Sequence, residues 1–382
     1  MGESFLEFLN STGIAGFFAE GGWKYLVMIL IALGMMYLAV FKGFEPYLLL
    51  PIAMGMLLVN LPGSNLFTFN EVTGEYEGLL GILYYGVESE IYPCLIFIGI
   101  GATTDFGPLI ANPKSMLLGA AAQVGIFITF LGAIAFFGFT PGEAAATSVI
   151  GGADGPTAII LGSSLAPHLL GAISLAAYSY MSLVPIIQPP VMKLLTTKKE
   201  RLVKMHQLRP VSKLEKLLFP IVTALICILL VPTSAPLIGM LMLGNLIKES
   251  GVVPNLVHTV SNAMLYIVTI LLGLTVGATA SGAVFLTWDT IFIFVLGIVA
   301  FVIATATGVL GGKLMYWTSK GQVNPLIGAA GVSALPMSAR VVQKMGQKED
   351  PTNFLLMHAM GPNVAGQIGV AIVGGLFLML FG

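Results

Sequence analysis

A single carboxylate, Asp154, lies within an apolar, glycine-rich stretch that runs from residue 148 to residue 164. On insertion scales, an aspartate at the centre of an apolar membrane segment costs about 2.5–3.5 kcal/mol. Asp154 therefore either caps a helix, because Asp-Gly-Pro can start a turn, or binds an ion or a proton. Because a carboxylate, backbone carbonyls and hydroxyls can together replace the water around a hard cation, we expect an ion or proton site here.

Five other polar residues could share this chemistry, and each also has a simpler structural interpretation. Asn324 and Asn363 either cap the segments they precede or supply amide oxygens to a cation. The Ser333 hydroxyl is either such a ligand or bonds the carbonyl one turn earlier in its own segment. Arg340, one of three arginines, either anchors the protein at the membrane surface or binds an anionic substrate. Tyr180 either packs in the protein core or takes part in the reaction.

The composition requires that membrane helices position these residues. Hydrophobic residues make up 57% of the 382, charged residues make up 9%, and the mean hydropathy is +0.94. A soluble domain carries about 25% charged residues, so we predict an all-α polytopic membrane protein of the cell (inner) membrane, in contact with the lipid bilayer. The net charge is −1 and no basic cluster alternates with aromatics, so nucleic acid is not an expected partner.

Apolar runs near spanning length recur along the chain. They cover residues 25–40, 116–139, 168–195, 217–231, 257–280, 291–314 and 354–381. Three more apolar stretches are too short or too broken to span as ideal helices, namely residues 47–61, the stretch around Asp154 and residues 321–338. We therefore expect nine to eleven spans, broken helices included, after an interfacial N-terminal segment of residues 1–23.

One hydrophilic linker, residues 196–216, divides the chain near its middle. It holds seven of the seventeen basic residues and two acidic ones, so the positive-inside rule places it in the cytoplasm. The flanking parts, residues 24–195 and 217–382, contain matching motifs in the same order. These are GMLLVNL with GMLMLGNL, IFIGIGATTDFG with ILLGLTVGATASG, and VIGGADGPTAI with LIGAAGVSALP. We predict two inverted repeats whose broken helices meet near the bilayer midplane.

Three motifs give this sequence a specific resemblance. The segments GGADGPTAI, NPLIGAAGVSALPMSAR and GPNVAGQIG resemble the beta subunits of biotin-dependent, sodium-pumping decarboxylases that act on oxaloacetate, methylmalonyl-CoA or glutaconyl-CoA. The resemblance implies a scaffold and a moving, elevator-like core built from the two repeats. It also implies a subunit that decarboxylates carboxybiotin, consumes a proton and exports Na⁺. Carboxybiotin would come from a separate biotinylated subunit.

The resemblance carries roles onto particular residues. Asp154, with Asn324 and Asn363, would hold one Na⁺, and Gly328 belongs to the same ion-binding pattern. Tyr180 and Ser333 would serve a second ion or the proton. Arg340 would bind the carboxylate of carboxybiotin.

The resemblance also names partners, which are a carboxyltransferase (alpha) subunit, a biotin carrier subunit, a small gamma membrane subunit and further copies of this chain in a homotrimer. Two other classes remain open at this point. A Na⁺-coupled secondary transporter of a carboxylate could share the repeats and broken helices, but it would need no biotin carrier. A purely structural membrane subunit would have no use for a carboxylate at membrane depth.

Overall fold

The computed structural model describes residues 12–70 and 75–382, and these residues are mostly helical. Residues 1–11 of the predicted interfacial segment lie outside the described residues. The part of the chain before the linker contains ten α-helices and one β-hairpin among its described residues. In chain order these are α1 (Gly13–Phe18), α2 (Gly22–Lys42), α3 (Pro46–Val59), β1 (Thr68–Asn70), β2 (Glu75–Glu77), α4 (Gly78–Glu88), α5 (Ile91–Thr103), α6 (Gly107–Ala111), α7 (Met116–Phe137), α8 (Pro141–Ser148), α9 (Gly155–Leu165) and α10 (Leu170–Leu195).

The linker contains one short helix, and eight helices follow it. They are α11 (Lys198–Arg201) in the linker, then α12 (Lys213–Leu230), α13 (Met240–Ser250), α14 (Pro254–His258), α15 (Leu265–Ala278), α16 (Gly282–Phe285), α17 (Trp288–Thr318), α18 (Met337–Glu349) and α19 (Leu356–Phe381). Two 3₁₀ segments interrupt the helices at the glycine-rich motifs, Val149–Gly152 before α9 and Pro325–Gly331 before α18.

The helix lengths confirm that this is a multi-pass membrane protein. Five stretches in the described part of the chain are long and apolar enough to cross a bilayer, namely Gly22–Lys42, Pro113–Phe137, Pro254–Ala278, Trp288–Thr318 and Leu356–Phe381. Helix α10 bends by 64° near residue 182, where Pro185 removes a backbone hydrogen bond. Helices α3, α5 and α9 are apolar but shorter. The described residues therefore contain five full-length candidate spans, or six with the bent helix α10, which is fewer than the nine to eleven expected with broken helices included.

The β-hairpin is a feature that the all-α prediction missed. Strands β1 and β2 pair antiparallel, with Phe69 opposite Tyr76. The ring of Tyr76 stacks on Phe67 at 4.6 Å and lies edge-on to Tyr84 of α4 at 5.1 Å. These aromatic contacts hold the hairpin against the helix, so a segment rich in charge and turn residues still forms paired strands.

One group of helices, the first bundle, is formed by α2, α3, α5, α12, α13 and α15. In it α3 packs on α15 through Gly55 and Gly277, each of which faces a backbone carbonyl of the other helix. Helices α5 and α13 repeat this contact through Gly101 and Gly244. A side chain at any of the four positions would overlap a carbonyl oxygen, so glycine permits the close helix approach.

Two asparagines end these helix pairs in the same way. Asn60, after α3, donates from Nδ2 to the carbonyl of Ala280 at 2.9 Å, just beyond α15. Asn245 of α13 donates to the carbonyls of Gly101 and Thr104 at 3.3 and 3.2 Å, at the end of α5. Asn60 and Asn245 lie in the matched motifs GMLLVNL and GMLMLGNL, so the repeat in sequence is matched by a repeat in contacts.

The second bundle consists of α7, α8, α9, α10, α17 and α19, together with both 3₁₀ segments. Here α17 packs on α7 through Gly125 and Ala304. The same helix meets the second 3₁₀ segment through Gly308 and Gly328, each of which faces the other's carbonyl oxygen. Such contacts bring broken, irregular backbone into the protein interior, where it is shielded from lipid.

Both ends of the linker form ion pairs or hydrogen bonds with the helices. At its beginning, Arg201 pairs with Glu349 at 2.8 Å and Lys204 pairs with Asp350 at 2.9 Å, beside the end of α18. The hydrogen bond from Lys204 is the main reason that the pKa of Asp350 falls to about 2. This end of the linker is therefore attached to the second bundle.

At its other end the linker lies against the end of α5 and against α6. Arg209 donates to the carbonyl of Ile110 at 3.1 Å. Lys216, in the first turn of α12, pairs with Asp105 at 3.5 Å. The two bundles are thus joined by a chain segment with separate attachments on each side.

Candidate functional site

The first broken segment places Asp154 at a helix start inside the second bundle. Helix α8 passes into the 3₁₀ segment Val149–Gly152 and then into Ala153, which has a left-handed conformation with φ 54°. A left-handed alanine is strained and persists only where its surroundings enforce it. Asp154 follows as the N-cap of α9, and it is 3% exposed. The capping interpretation of Asp154 is therefore correct, and it does not exclude an ion site.

The Asp154 carboxylate accepts three hydrogen bonds. Its Oδ2 accepts from the backbone N–H of Thr157 at 3.3 Å and from the Thr157 hydroxyl in a short contact. Its Oδ1 accepts from Nε2 of Gln367 on α19 at 2.9 Å. None of the ion pairs in the described part of the chain involves Asp154. Hydrogen bonds from neutral groups stabilise the carboxylate but leave its negative charge unbalanced.

The second broken segment meets the first at Ser333. After the 3₁₀ segment Pro325–Gly331 the chain becomes extended at Val332. The backbone N–H and the hydroxyl of Ser333 both donate to the carbonyl oxygen of Gly152, at 3.0 and 2.7 Å. This contact joins the two irregular segments at Gly152, which lies two residues before Asp154 in the sequence.

Asn363 of α19 completes this junction. Its Nδ2 donates to the carbonyls of Ala330 and Val332 at 3.0 and 2.8 Å. Its Oδ1 is buried and has no hydrogen-bond partner. A buried amide oxygen without a partner is costly, and a cation is one group that would satisfy it.

A cavity of about 340 Å³ opens between the two bundles at Asp154. Its wall includes Asp154, Tyr178, Ser333 and Gln367 from the second bundle and its broken segments. The first bundle contributes residues of α3, α5 and α15, together with Glu45, the residue before α3. The cavity is thus predominantly apolar, with a few polar groups gathered around one carboxylate, as expected of a small-ligand site.

Glu45 and Arg340 interact electrostatically across this region. Burial raises the pKa of Glu45, and the Arg340 guanidinium offsets part of that rise. No ion pair within 4.0 Å joins them among the described residues. Arg340 is exposed on α18, so it is available to an anion that approaches the cavity.

Five of the seven sequence-predicted residues lie outside the cavity wall, among them Asn363 and Arg340, whose positions are given above. The Tyr180 hydroxyl donates to the carbonyl of Phe294 on α17 at 2.5 Å. Asn324 caps the second 3₁₀ segment and donates to the linker carbonyls of Arg201 and Val203 at 3.0 and 2.9 Å. Gly328 lies at the close contact with α17. The structure thus brings Asp154 and Ser333 to one cavity and leaves the other five outside its wall, namely Tyr180, Asn324, Gly328, Asn363 and Arg340.

Sequence reasoning missed three residues around Asp154, and two of them had a detectable signal. Gln367 lies four residues after Asn363, which places both on one face of α19. Thr157 lies three residues after Asp154, where the N–H and side chain of a helix's first turn meet the capping residue. Tyr178 lies beside Gly155, where an added side chain would overlap its ring. In the sequence alone, nothing separated Tyr178 from Tyr180.

Comparison with known proteins identifies the class of this subunit. The family model described as "Na+-transporting oxaloacetate decarboxylase beta subunit" matches residues 24–381. The chain therefore belongs to this family of beta subunits of Na⁺-transporting decarboxylases.

Several curated relatives match along nearly their whole length. The methylmalonyl-CoA decarboxylase subunit beta of Propionigenium modestum is 56% identical over 100% of both chains. The glutaconyl-CoA decarboxylase subunit beta of Acidaminococcus fermentans is 56% identical over 94% of this chain and 94% of the relative. The oxaloacetate decarboxylase beta chain of Klebsiella pneumoniae is 51% identical over 92% of this chain and 94% of the relative. This chain is accordingly a membrane subunit of a decarboxylase complex, which confirms the prediction of a decarboxylase beta subunit.

Proposed function

We propose that this subunit decarboxylates carboxybiotin delivered by a separate biotinylated subunit and couples that reaction to Na⁺ export through Asp154. The observation that carries the proposal is the buried, unpaired Asp154 carboxylate in a cavity where both broken segments meet. A buried carboxylate without an ion-pair partner is stabilised most by a monovalent cation that has lost part of its hydration shell. The unpartnered Oδ1 of Asn363, at the same junction, supports a ligand role for that residue.

Decarboxylation of carboxybiotin consumes one proton. The N–CO₂⁻ bond of carboxybiotin breaks, CO₂ leaves, and the ring nitrogen takes one proton. A largely apolar cavity favours this step, because a carboxylate that loses its water is closer in energy to neutral CO₂. Arg340, exposed near Glu45, would attract the incoming carboxylate. Tyr180 and Ser333 remain the proposed groups for the proton or a second ion, and Ser333 already faces the cavity.

We also propose that the two halves are inverted repeats and that the bundles act as scaffold and moving core. Matched motifs give matched contacts at Asn60 and Asn245, which supports the duplication. The Asn245 end of α13 lies near the linker, because Lys248 donates to Thr104 and Lys216 pairs with the next residue, Asp105. The beginning of α3, at Glu45, interacts electrostatically with Arg340 in the first turn of α18, the helix whose last turn binds the linker. Opposite directions of α3 and α13 are what inversion requires.

Two of the proposed partners follow from this reaction, since a carboxyltransferase subunit must load biotin and a carrier must deliver it. The small gamma subunit and the homotrimeric arrangement are proposed from the family resemblance alone. Which acid is decarboxylated is decided in the carboxyltransferase, so relatives with different substrates can share one beta subunit architecture.

The test uses the complete purified complex in liposomes. Release of CO₂ from the carboxylated carrier and uptake of ²²Na⁺ are measured together over a range of Na⁺ concentrations. We expect both rates to rise with Na⁺ and to saturate together. Decarboxylation that is indifferent to Na⁺, with no Na⁺ uptake, would contradict the proposal.

A further inference from the structure

Gln367 is the only side chain from another helix that donates a hydrogen bond to Asp154 among the described residues. Its Nε2 lies 2.9 Å from Oδ1 of Asp154, and both side chains are buried. The other two donors to this carboxylate belong to Thr157 in the first turn of α9, so they accompany Asp154 wherever α9 goes. Gln367 therefore connects the carboxylate to α19.

The second polar atom of this amide is uncommitted. Gln367 lines the cavity beside Asp154, and no hydrogen bond in the described part of the chain engages its Oε1. One turn earlier on the same helix, Asn363 also carries an amide oxygen without a partner. Two amide oxygens thus lie one turn apart on α19, close to an unbalanced carboxylate.

An amide can serve a carboxylate in two opposite ways. Its NH₂ group donates to the anion when no cation is bound, which stabilises the charged form. When a cation occupies the site, the same side chain can turn by half a rotation about its last bond. It then presents its oxygen, a ligand that hard cations accept. The two orientations have the same shape, so the exchange needs no movement of α19.

We propose that Gln367 is a further residue of the ion site, which holds Asp154 as an anion in the empty state and joins the Na⁺ ligands in the filled state. This rests on the proposed role of Asp154 in Na⁺ binding. Gln367 would then help to set the Na⁺ concentration at which the pump works, because the contact of its oxygen with Na⁺ outweighs the hydrogen bond that its NH₂ group gives to Asp154 in the empty state. It would not take part in breaking the bond to CO₂.

The experiment measures Na⁺ binding directly and does not depend on turnover. Equilibrium dialysis with ²²Na⁺ is carried out on the purified complex without carboxybiotin, for the parent and for Gln367→Met, which keeps the length but removes donor and acceptor. We expect the dissociation constant for Na⁺ to rise about tenfold, which corresponds to about 1.4 kcal/mol. The Na⁺ concentration for half-maximal decarboxylation should rise by the same factor, with the rate at saturating Na⁺ retained.

Two further variants separate the possible explanations. Gln367→Glu keeps an oxygen at the same position. Because two carboxyl groups this close share one proton, the pair keeps a single negative charge and should bind Na⁺ about as tightly as the parent. Gln188→Met removes another buried amide of the second bundle, which bonds Ala329 and Ser338, and should leave Na⁺ affinity unchanged. Gln367→Glu binding as weakly as Gln367→Met would exclude the amide oxygen as a ligand.

Na⁺ binding by Asp154→Asn and by Gln367→Met distinguishes the role of Gln367 from the role of Asp154. If Asp154→Asn abolishes Na⁺ binding while Gln367→Met binds with parental affinity, the site stands and the role of Gln367 is refuted. If Asp154→Asn still binds Na⁺ normally, the proposed site itself is wrong. An assembled complex on size-exclusion chromatography is required of every variant, and Gln367→Glu provides the test if Gln367→Met does not assemble.

Discussion

Replacement of Asp154 by asparagine separates the charge of this residue from its role as a helix cap. Asparagine caps helices about as well as aspartate, so the start of α9 should survive. Its single side-chain oxygen can still accept from Thr157. The new NH₂ group would face Gln367, whose amide can turn to present its oxygen, so a hydrogen bond between the two side chains can be kept. The fold should therefore tolerate the change.

The effect on Na⁺ should be much larger. No ion pair in the described part of the chain engages Asp154, so this carboxylate is free to balance an incoming cation. Removing one partner of a buried pair costs about 3–5 kcal/mol, because the other charge is left uncompensated. At about 1.4 kcal/mol per factor of ten, Na⁺ affinity should fall at least roughly a hundredfold. Na⁺ uptake and Na⁺-stimulated decarboxylation should be lost together.

The assay is ²²Na⁺ uptake and CO₂ release by liposomes that contain the complete complex, with Na⁺ varied over four decades. Thr157→Val is a suitable comparison, since it removes one hydroxyl donor and leaves the backbone cap and the charge. We expect it to shift Na⁺ activation far less than Asp154→Asn. If Asp154→Asn pumps Na⁺ with parental kinetics, Asp154 is only a cap and the reasoning fails.

Three other predictions concern topology, the proton and packing. A cysteine replacing Gln207, in a variant without other cysteines, should resist impermeant reagents applied to intact cells, and ready labelling would reverse the assigned orientation. Tyr180→Phe should lower the maximal decarboxylation rate at saturating Na⁺ if Tyr180 supplies the proton. If only Tyr178→Phe lowers that rate, the proton donor is Tyr178, which lines the cavity. Gly277→Ala should lower the free energy of unfolding by about 1–3 kcal/mol, since its Cβ would overlap a carbonyl of α3. Thermal unfolding in detergent should show this loss, whereas Gly34→Ala, with open space around it, should not lower the melting temperature.

The sequence located the broken segments correctly because glycine, proline and one carboxylate interrupt apolar runs in a way that composition makes visible. The stretch around Asp154 and residues 321–338 both contain 3₁₀ turns instead of continuous α-helix. The contact between them at Ser333 was not predictable in detail. It depends on how α7, α17 and α19 pack, and small residues such as Gly328 permit many arrangements.

Individual side chains were harder to place than segments. Asn324 and Asn363 have the same residue type and similar settings in the sequence, but Asn324 holds the linker and Asn363 lies at the junction behind the cavity. Tyr178 and Tyr180 are two positions apart on one helix and therefore point in different directions. Gln367 could have been found from its spacing to Asn363. The β-hairpin was missed because its alternation covers only three residues on each strand.

The linker limits how far its two attachment points can separate. Lys204 attaches it to Asp350, Met205 packs against the core of the second bundle, and Arg209 pairs with Glu215 of α12 in the first bundle, which leaves residues 206–208 between these attachments. Five Cα steps separate Lys204 from Arg209, and at full extension they reach roughly 17 Å. Any displacement of one bundle against the other that keeps both attachments is limited by that reach. If the proposed movement of the core occurs, lengthening this segment with glycine and serine would relax the limit, and shortening it would restrict the movement without altering any residue of the cavity.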